Sequence, residues 1–239
     1  MRLCTMGIIL ASGLASAWQP PKDLARLAAQ RESLNESERD NYTYRQSVVV
    51  EEFDQRGMKA GEYSEVRDVI FSPGRERTEV LAGKPRDTLA RLRLTEEDFR
   101  DIREVQPLML TKERLWLYET RVRDEDQAGG IACWVLEIRP RQILDGMRLF
   151  EGVLWIDKRD YSIIRAEGRA APQILGTKKE NLFPRFTTVR RRAENGFWFP
   201  ALTFADDVLP FRSGPLRLRM TIRYSDYKRF GADSIIKFQ

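Results

Sequence analysis

Between Leu216 and Tyr224 every second residue is apolar: Leu216, Leu218, Met220, Ile222 and Tyr224, with Arg217, Arg219, Thr221 and Arg223 between them. Successive strand side chains point to opposite faces, so the segment predicts a strand with one buried and one wet face, the signature of an antiparallel sheet. Similar segments recur along the chain. Tyr42 to Phe53, Glu62 to Phe71 and Arg77 to Leu81 are rich in β-branched and aromatic residues and are parted by turn signals at Gln55-Arg-Gly57, Ser72-Pro-Gly-Arg75 and Gly83-Lys-Pro85. Arg114 to Arg123 and Ile131 to Arg139 predict a hairpin around a polar loop, Asp124 to Gly130. Phe150 to Ile156 pairs with Tyr161 to Gly168, where both parities are apolar and both faces of the sheet are expected to be covered. Phe183 to Arg192 pairs with Phe197 to Asp206 around Ala193-Glu-Asn-Gly196, and Pro200 predicts an edge or a bulge. Ile235 to Phe238 adds a short last strand. About ten strands joined by short turns predict an antiparallel meander.

Helical periodicity is confined to two places. Leu24, Leu27, Ala28 and Leu34 fall on one side of a segment running from residue 22 to about 34, with Pro21 at its start and the polar stretch Asn35 to Asn41 ending it. Thr95 and Asp98 resemble a capping box opening a short helix to about Glu104, with Phe99 and Ile102 on its apolar side and Pro107 closing it.

The chain contains no histidine. This excludes Ser-His-Asp and Cys-His catalysis, histidine metal sites and histidine pH switching. Met1-Arg2, an uncharged apolar run from Leu3 to Leu14 and the small residues Ala15-Ser16-Ala17 predict a secretory signal peptide cleaved after Ala17. Cys4 sits too early for a lipid-attachment cysteine, and the run is short of the roughly 20 residues a membrane span needs. Cleavage removes Arg2, lowering the formal net charge from +5 to +4, and leaves Cys133 as the one cysteine, so no internal disulfide forms. The mildly basic balance suits an anionic ligand or membrane surface and is too dispersed to indicate nucleic acid. Residues 18–239 read as a single domain that needs no cofactor.

Phe150-Glu-Gly-Val-Leu-Trp-Ile-Asp and the return Ile-Ile-Arg-Ala-Glu-Gly168 resemble a hairpin of the outer-membrane lipoprotein-sorting (LolA/LolB-like) superfamily, and Phe197-Trp-Phe-Pro200 resembles its late aromatic strand. The resemblance implies a mainly antiparallel, α+β fold: an incomplete β-barrel with the N-terminal helix and the short inserted helix across its open side. It implies a periplasmic, non-enzymatic carrier or receptor for a lipid, an acyl chain or a lipidated protein, with peripheral membrane contact. A sensor or protein-interaction module of the cell envelope, bound to an envelope protein, is the alternative on the same scaffold, and a carboxylate-based hydrolase, which needs two acids facing into one cleft, is a third, weaker one.

For a carrier, the expected groove wall is the inward set Trp116, Tyr118, Trp134, Leu136, Ile138, Val153, Trp155, Leu218, Met220 and Ile222. An acyl chain gains about 0.8 kcal/mol per buried CH₂ against such a wall. The alternative is that the same side chains form the core. Arg190-Arg-Arg192 and the row Arg217, Arg219 and Arg223 are the candidates for headgroup contact, and a solvated strand face that discourages edge aggregation is the favoured alternative for both. Glu96-Glu-Asp98 reads as the acidic first turn of a helix. Cys133, on the parity opposite Trp134, has no histidine to activate it and reads as a packing or surface residue.

Overall fold

The computed structural model describes residues 19–71, 76–105, 110–144, 146–175 and 180–229, without the side chains of residues 104, 105, 175 and 181. The expected signal peptide, the expected turn at residues 72–75, Pro107 and the expected strand at residues 235–238 lie outside the described residues. Helix α1 (Leu24–Arg39) is followed by β1 (Tyr42–Phe53), β2 (Lys59–Phe71), β3 (Arg77–Leu81) and β4 (Arg86–Asp87). Helix α2 (Glu96–Arg100) continues as one wide turn over Asp101–Val105, and a tight turn at Leu115–Leu117 leads into β5 (Tyr118–Ala128). Strands β6 (Ile131–Pro140), β7 (Leu149–Asp157) and β8 (Ile163–Ala171) precede a two-stranded ribbon of β9 (Ile174–Leu175) and β10 (Glu180–Asn181). The described residues end in β11 (Phe186–Arg192), β12 (Trp198–Leu209) and β13 (Leu216–Arg229). No described helix is long and apolar enough to cross a membrane.

Eleven strands form one antiparallel sheet with the order β3-β2-β1-β13-β12-β11-β8-β7-β6-β5, β4 pairing with β2. It is an incomplete barrel: β3 and β5 are its two edges. The meander is broken at one point that local pattern does not show. The first long strand pairs with the last, from Tyr42 opposite Arg229 to Phe53 opposite Arg217.

Alternation then sorts the side chains as expected. Leu216, Leu218, Met220, Ile222 and Tyr224 are buried on the inner face, together with Tyr44, Val48 and Val50 of β1 and Trp134, Leu136 and Ile138 of β6. A second, smaller cluster on the outer face gathers Cys133, Val135, Trp155, Ile164 and Trp198, so the 150–168 hairpin is covered on both sides. Pro200 sits at a bulge, where the β11–β12 register slips between Val189 and Arg190, and not at an edge. The capping box forms: Thr95 Oγ1 accepts from the Asp98 amide at 3.2 Å and Asp98 Oδ2 accepts from the Thr95 amide at 2.6 Å.

Three expectations are corrected. Helix α1 does not stop at Leu34 but runs through the polar stretch to Arg39, because Glu32, Asn35 and Arg39 turn inward and are buried; Leu34 is the residue left outside, 55% exposed. The segment Asp124–Ala128 is strand and not loop, the turn being Gly129-Gly130 with φ of 57° and 79°. Its polar composition follows from its place on an edge, where only one neighbour covers it. Trp116 lies in the tight turn before β5 and is 66% exposed, so it does not share the inward face of Tyr118.

Gly152 and Gly168 stand opposite each other on β7 and β8, and the ring of Phe150 lies across both. A Cβ at Gly168 would stand 2.5 Å from Phe150 Cζ and closer still to the Glu151 carbonyl oxygen. Overfilling of this kind costs about 1–3 kcal/mol. Gly168→Ala is expected to lower the unfolding free energy by about 3 kcal/mol in a urea titration, with an unchanged m-value.

Candidate functional site: a divided interior under helix α1

The inner face of the sheet carries two chemistries. Over β5–β8 it is apolar. Tyr118, Trp134, Leu136 and Ile138 lie there at 2% exposure or less, packed into the same cluster as Leu218, Met220 and Ile222. Val153 and Trp155 belong to the opposite parity and sit in the outer cluster, where Trp155 Nε1 donates to Asp126 Oδ2 at 2.9 Å and Arg165 stacks on the indole at 4.4 Å. Of the expected wall, seven side chains therefore converge on the inner face, while Val153, Trp155 and Trp116 do not.

Under α1 the inner face is polar. Arg190 points inward from β11, opposite to its expected solvated position, and its guanidinium makes a two-pronged pair with Glu32 at 2.5 and 2.6 Å, both residues almost fully buried. Thr188 and Thr203 share a hydroxyl hydrogen bond of 2.8 Å on neighbouring strands. Asn35 Oδ1 accepts from the Trp198 amide at 3.3 Å. Gln46 and Tyr224 face each other in register across β1 and β13, and Gln46 is opposite Arg67 on β2. Arg31 fastens the helix from outside, donating to Ser162 Oγ at 3.0 Å and to the Gly196 carbonyl at 3.1 Å.

A second buried network lies near β3. Tyr63 donates to Glu65 Oε2 at 2.8 Å, Arg67 binds both Glu65 and Glu79, and Arg77 reaches Glu79 at 2.8 Å, beside a cavity of about 340 Å³. Burial, with Glu65 beside it, pushes the Tyr63 hydroxyl well above the usual tyrosine range. Both carboxylates are thus engaged by arginines and a phenol, leaving neither free as an acid or base towards a substrate. Burial also pushes the Cys133 thiol up to about 11, which keeps it in the unreactive form at neutral pH. Among the described residues no cluster of three Asp, Glu, Cys or His side chains is placed to hold a metal.

The arginine row falls on the outer face. Arg217 and Arg219 bind Asp206 at 2.9 and 3.2 Å and flank the Phe53 ring, while Arg223 is exposed on the same side. The sheet separates this row from the inward apolar set, so one ligand cannot touch both through it. Exposed pairs of this type contribute little stability.

Compared by sequence, the chain matches no family model and no curated protein. Compared by structure, it is similar to a number of solved proteins, three of which follow. A DUF1329 family protein from Desulfovibrio piger is 16% identical, with 91% of this chain and 96% of that one covered and a TM-score of 0.43. A putative outer membrane lipoprotein-sorting protein domain from Vibrio parahaemolyticus is 10% identical, with 87% and 93% covered and a TM-score of 0.43. A LolA superfamily protein from Nitrosomonas europaea is 13% identical, with 84% and 94% covered and a TM-score of 0.35. The last two carry the name of the superfamily that the 150–168 hairpin resembles. At these identities and scores the likeness says nothing about what this chain binds.

Local pattern misses the Glu32–Arg190 pair, because its partners are 158 residues apart. Removing one partner of such a pair leaves a buried charge uncompensated and costs about 3–5 kcal/mol, whereas replacing both with apolar groups is near neutral or stabilising. Arg190→Met alone is expected to destabilise by about 3–5 kcal/mol, and Glu32→Leu with Arg190→Met to recover most of that loss in a double-mutant cycle read by chemical denaturation.

Proposed function

We propose that this protein is a non-catalytic, periplasmic binding protein that carries an amphiphile (a lipid, an acyl chain or a lipidated protein) between the half-barrel and helix α1. The observation that supports this most is the division of the interior. An apolar half lined by Tyr118, Trp134, Leu136, Ile138, Leu218, Met220 and Ile222 adjoins a polar half under α1, which is the pattern an amphiphile presents in reverse. The apolar half is closely packed, so an acyl chain reaches it only when α1 or the α2 segment shifts. Helix α1 is held by an apolar N-terminal half (Leu24, Ala28, Ala29) and a polar C-terminal half (Glu32, Asn35, Arg39), and the polar half, whose groups water can solvate once exposed, is the part that opens at lower cost. A cavity of about 470 Å³ edged by the exposed Ile143 and Met147, 71% and 43% exposed, gives an apolar surface between β6 and β7.

A second reading, a protein-interaction module, is favoured by the outer face. Val135, Trp155, Arg165, Val189 and Leu202 lie in one register row across β6–β12, and Glu137, Val153, Glu167, Thr187 and Phe204 in the next. Val189, Phe204 and Val208 are 44%, 42% and 55% exposed, a surface of the kind that meets partners.

Native mass spectrometry of residues 18–239 purified from a periplasmic fraction without detergent, followed by lipid extraction, separates the two. A discrete added mass released as a phospholipid or acylated peptide is the expected result. A bare mass unchanged after incubation with lipids contradicts the carrier reading and leaves the outer face as the working surface.

A further inference from the structure

Arg39 closes helix α1 and is only 7% exposed. It makes no ion pair and no side-chain hydrogen bond among the described residues, and its Nε is buried without a partner. The other buried arginines of this interior, Arg67, Arg148 and Arg190, each hold a carboxylate. Around Arg39 three further groups are buried without a well-formed hydrogen bond: the Asn35 Nδ2, both amide atoms of Gln46, and the Tyr224 hydroxyl, which has Thr203 and Gln46 beside it. The nearest acids are otherwise placed. Glu32 is taken by Arg190, and Glu36, a half-buried neighbour on the same helix, has its carboxyl raised by burial. Burial works against the Arg39 charge, but Tyr44, Tyr227, Glu36 and Glu32 outweigh it, so the guanidinium stays charged. The negative end of the α1 dipole offsets part of that charge. Water could hydrogen-bond the amide and the hydroxyl, yet it brings no charge to match the guanidinium.

The geometry points to an anion site at Arg39, built for a phosphate group, with Gln46, Tyr224 and Asn35 as further donors. A tetrahedral anion offers enough acceptor oxygens for all of them, and the planar guanidinium fork suits it. A continuous aromatic wall joins this site to the surface: Tyr44 stacks on Tyr227 at 5.1 Å, Tyr227 on Phe199 at 5.3 Å, and Phe199 meets Tyr42 at 5.1 Å. Tyr227, Phe199 and Tyr42 edge a cavity of about 560 Å³, whose rim carries Arg191 and Arg192 against Glu194 and Asp226. Naming the headgroup of the ligand in this way rests on the amphiphile reading above, but the anion site itself does not, since free phosphate presents the same chemistry.

The test titrates inorganic phosphate, dodecyl phosphate and the neutral 1-lauroyl glycerol into the full exported chain and its Arg39→Met and Arg39→Lys variants, by calorimetry and thermal melting. Dodecyl phosphate is expected to bind the wild type, Arg39→Met to weaken it about tenfold to hundredfold, and Arg39→Lys to fall between. Without ligand, Arg39→Met is expected to melt about 2–4 °C higher, because an uncompensated buried charge is gone. Arg39-dependent binding of inorganic phosphate alone upholds the site and removes the amphiphile. Equal binding of the neutral amphiphile and of dodecyl phosphate to wild type and Arg39→Met upholds the amphiphile and overturns the anion site. No binding of any probe overturns both, and an Arg39→Met chain that fails to fold shows that the charge serves the fold and overturns the site.

Discussion

The ion pair between Glu32 and Arg190 decides how the interior of this protein is built. Two charges taken out of water are costly unless they meet with good geometry, and here they meet with two short hydrogen bonds. The pair fixes the rotation of α1 about its own axis. With Glu32 turned to the sheet, Asn35 and Arg39 follow on the same side at helical spacing, and Leu34 is turned out to solvent. Leu24, Ala28 and Ala29 are buried on the same side, so the apolar start of the helix and its polar end agree on one rotation.

The strand pairing makes the platform on which that helix lies. Because β1 runs beside β13, the first and last described strands meet in the middle of the sheet, and inward residues from both contribute to one surface. Tyr44, Gln46, Tyr224 and Tyr227 come together only through this pairing. The apolar half of the interior, built from β5–β8, depends on it less, since its hairpins are local. The division between the two halves thus coincides with the division between local and non-local pairing. The outer face is sorted by the same registers, with charged rows over β1, β12 and β13 and a more apolar band over β6–β12.

What the sequence discloses follows the same boundary. Period-two alternation located β6 and β13, β-branched and aromatic composition with turn signals located β1, β2 and β3, and turns between apolar runs located β7, β8, β11 and β12; the motif at Phe150–Gly168 was legible because Gly152, Gly168 and Phe150 answer a local packing need. The capping box at Thr95 and Asp98 is likewise local. The buried ends of long-range ion pairs were not legible. Arg190 sits in a run of three arginines, and nothing nearby distinguishes the one that turns inward from those that turn out. The polar tail of α1 reads as a helix stop until its partners on β11, β12 and β1 are known. Trp116 shows the converse error: its parity with Tyr118 holds only if the strand has already begun, and it begins two residues later.

Hydrogen exchange read by mass spectrometry, with and without saturating dodecyl phosphate, tests most directly whether ligand enters beneath α1. Slower exchange confined to the C-terminal half of α1 and to residues 42–48 and 220–229 is the predicted result, since these backbones surround Arg39, Gln46 and Tyr224. Protection instead over residues 187–208, on the outer band, or no change anywhere, would contradict it.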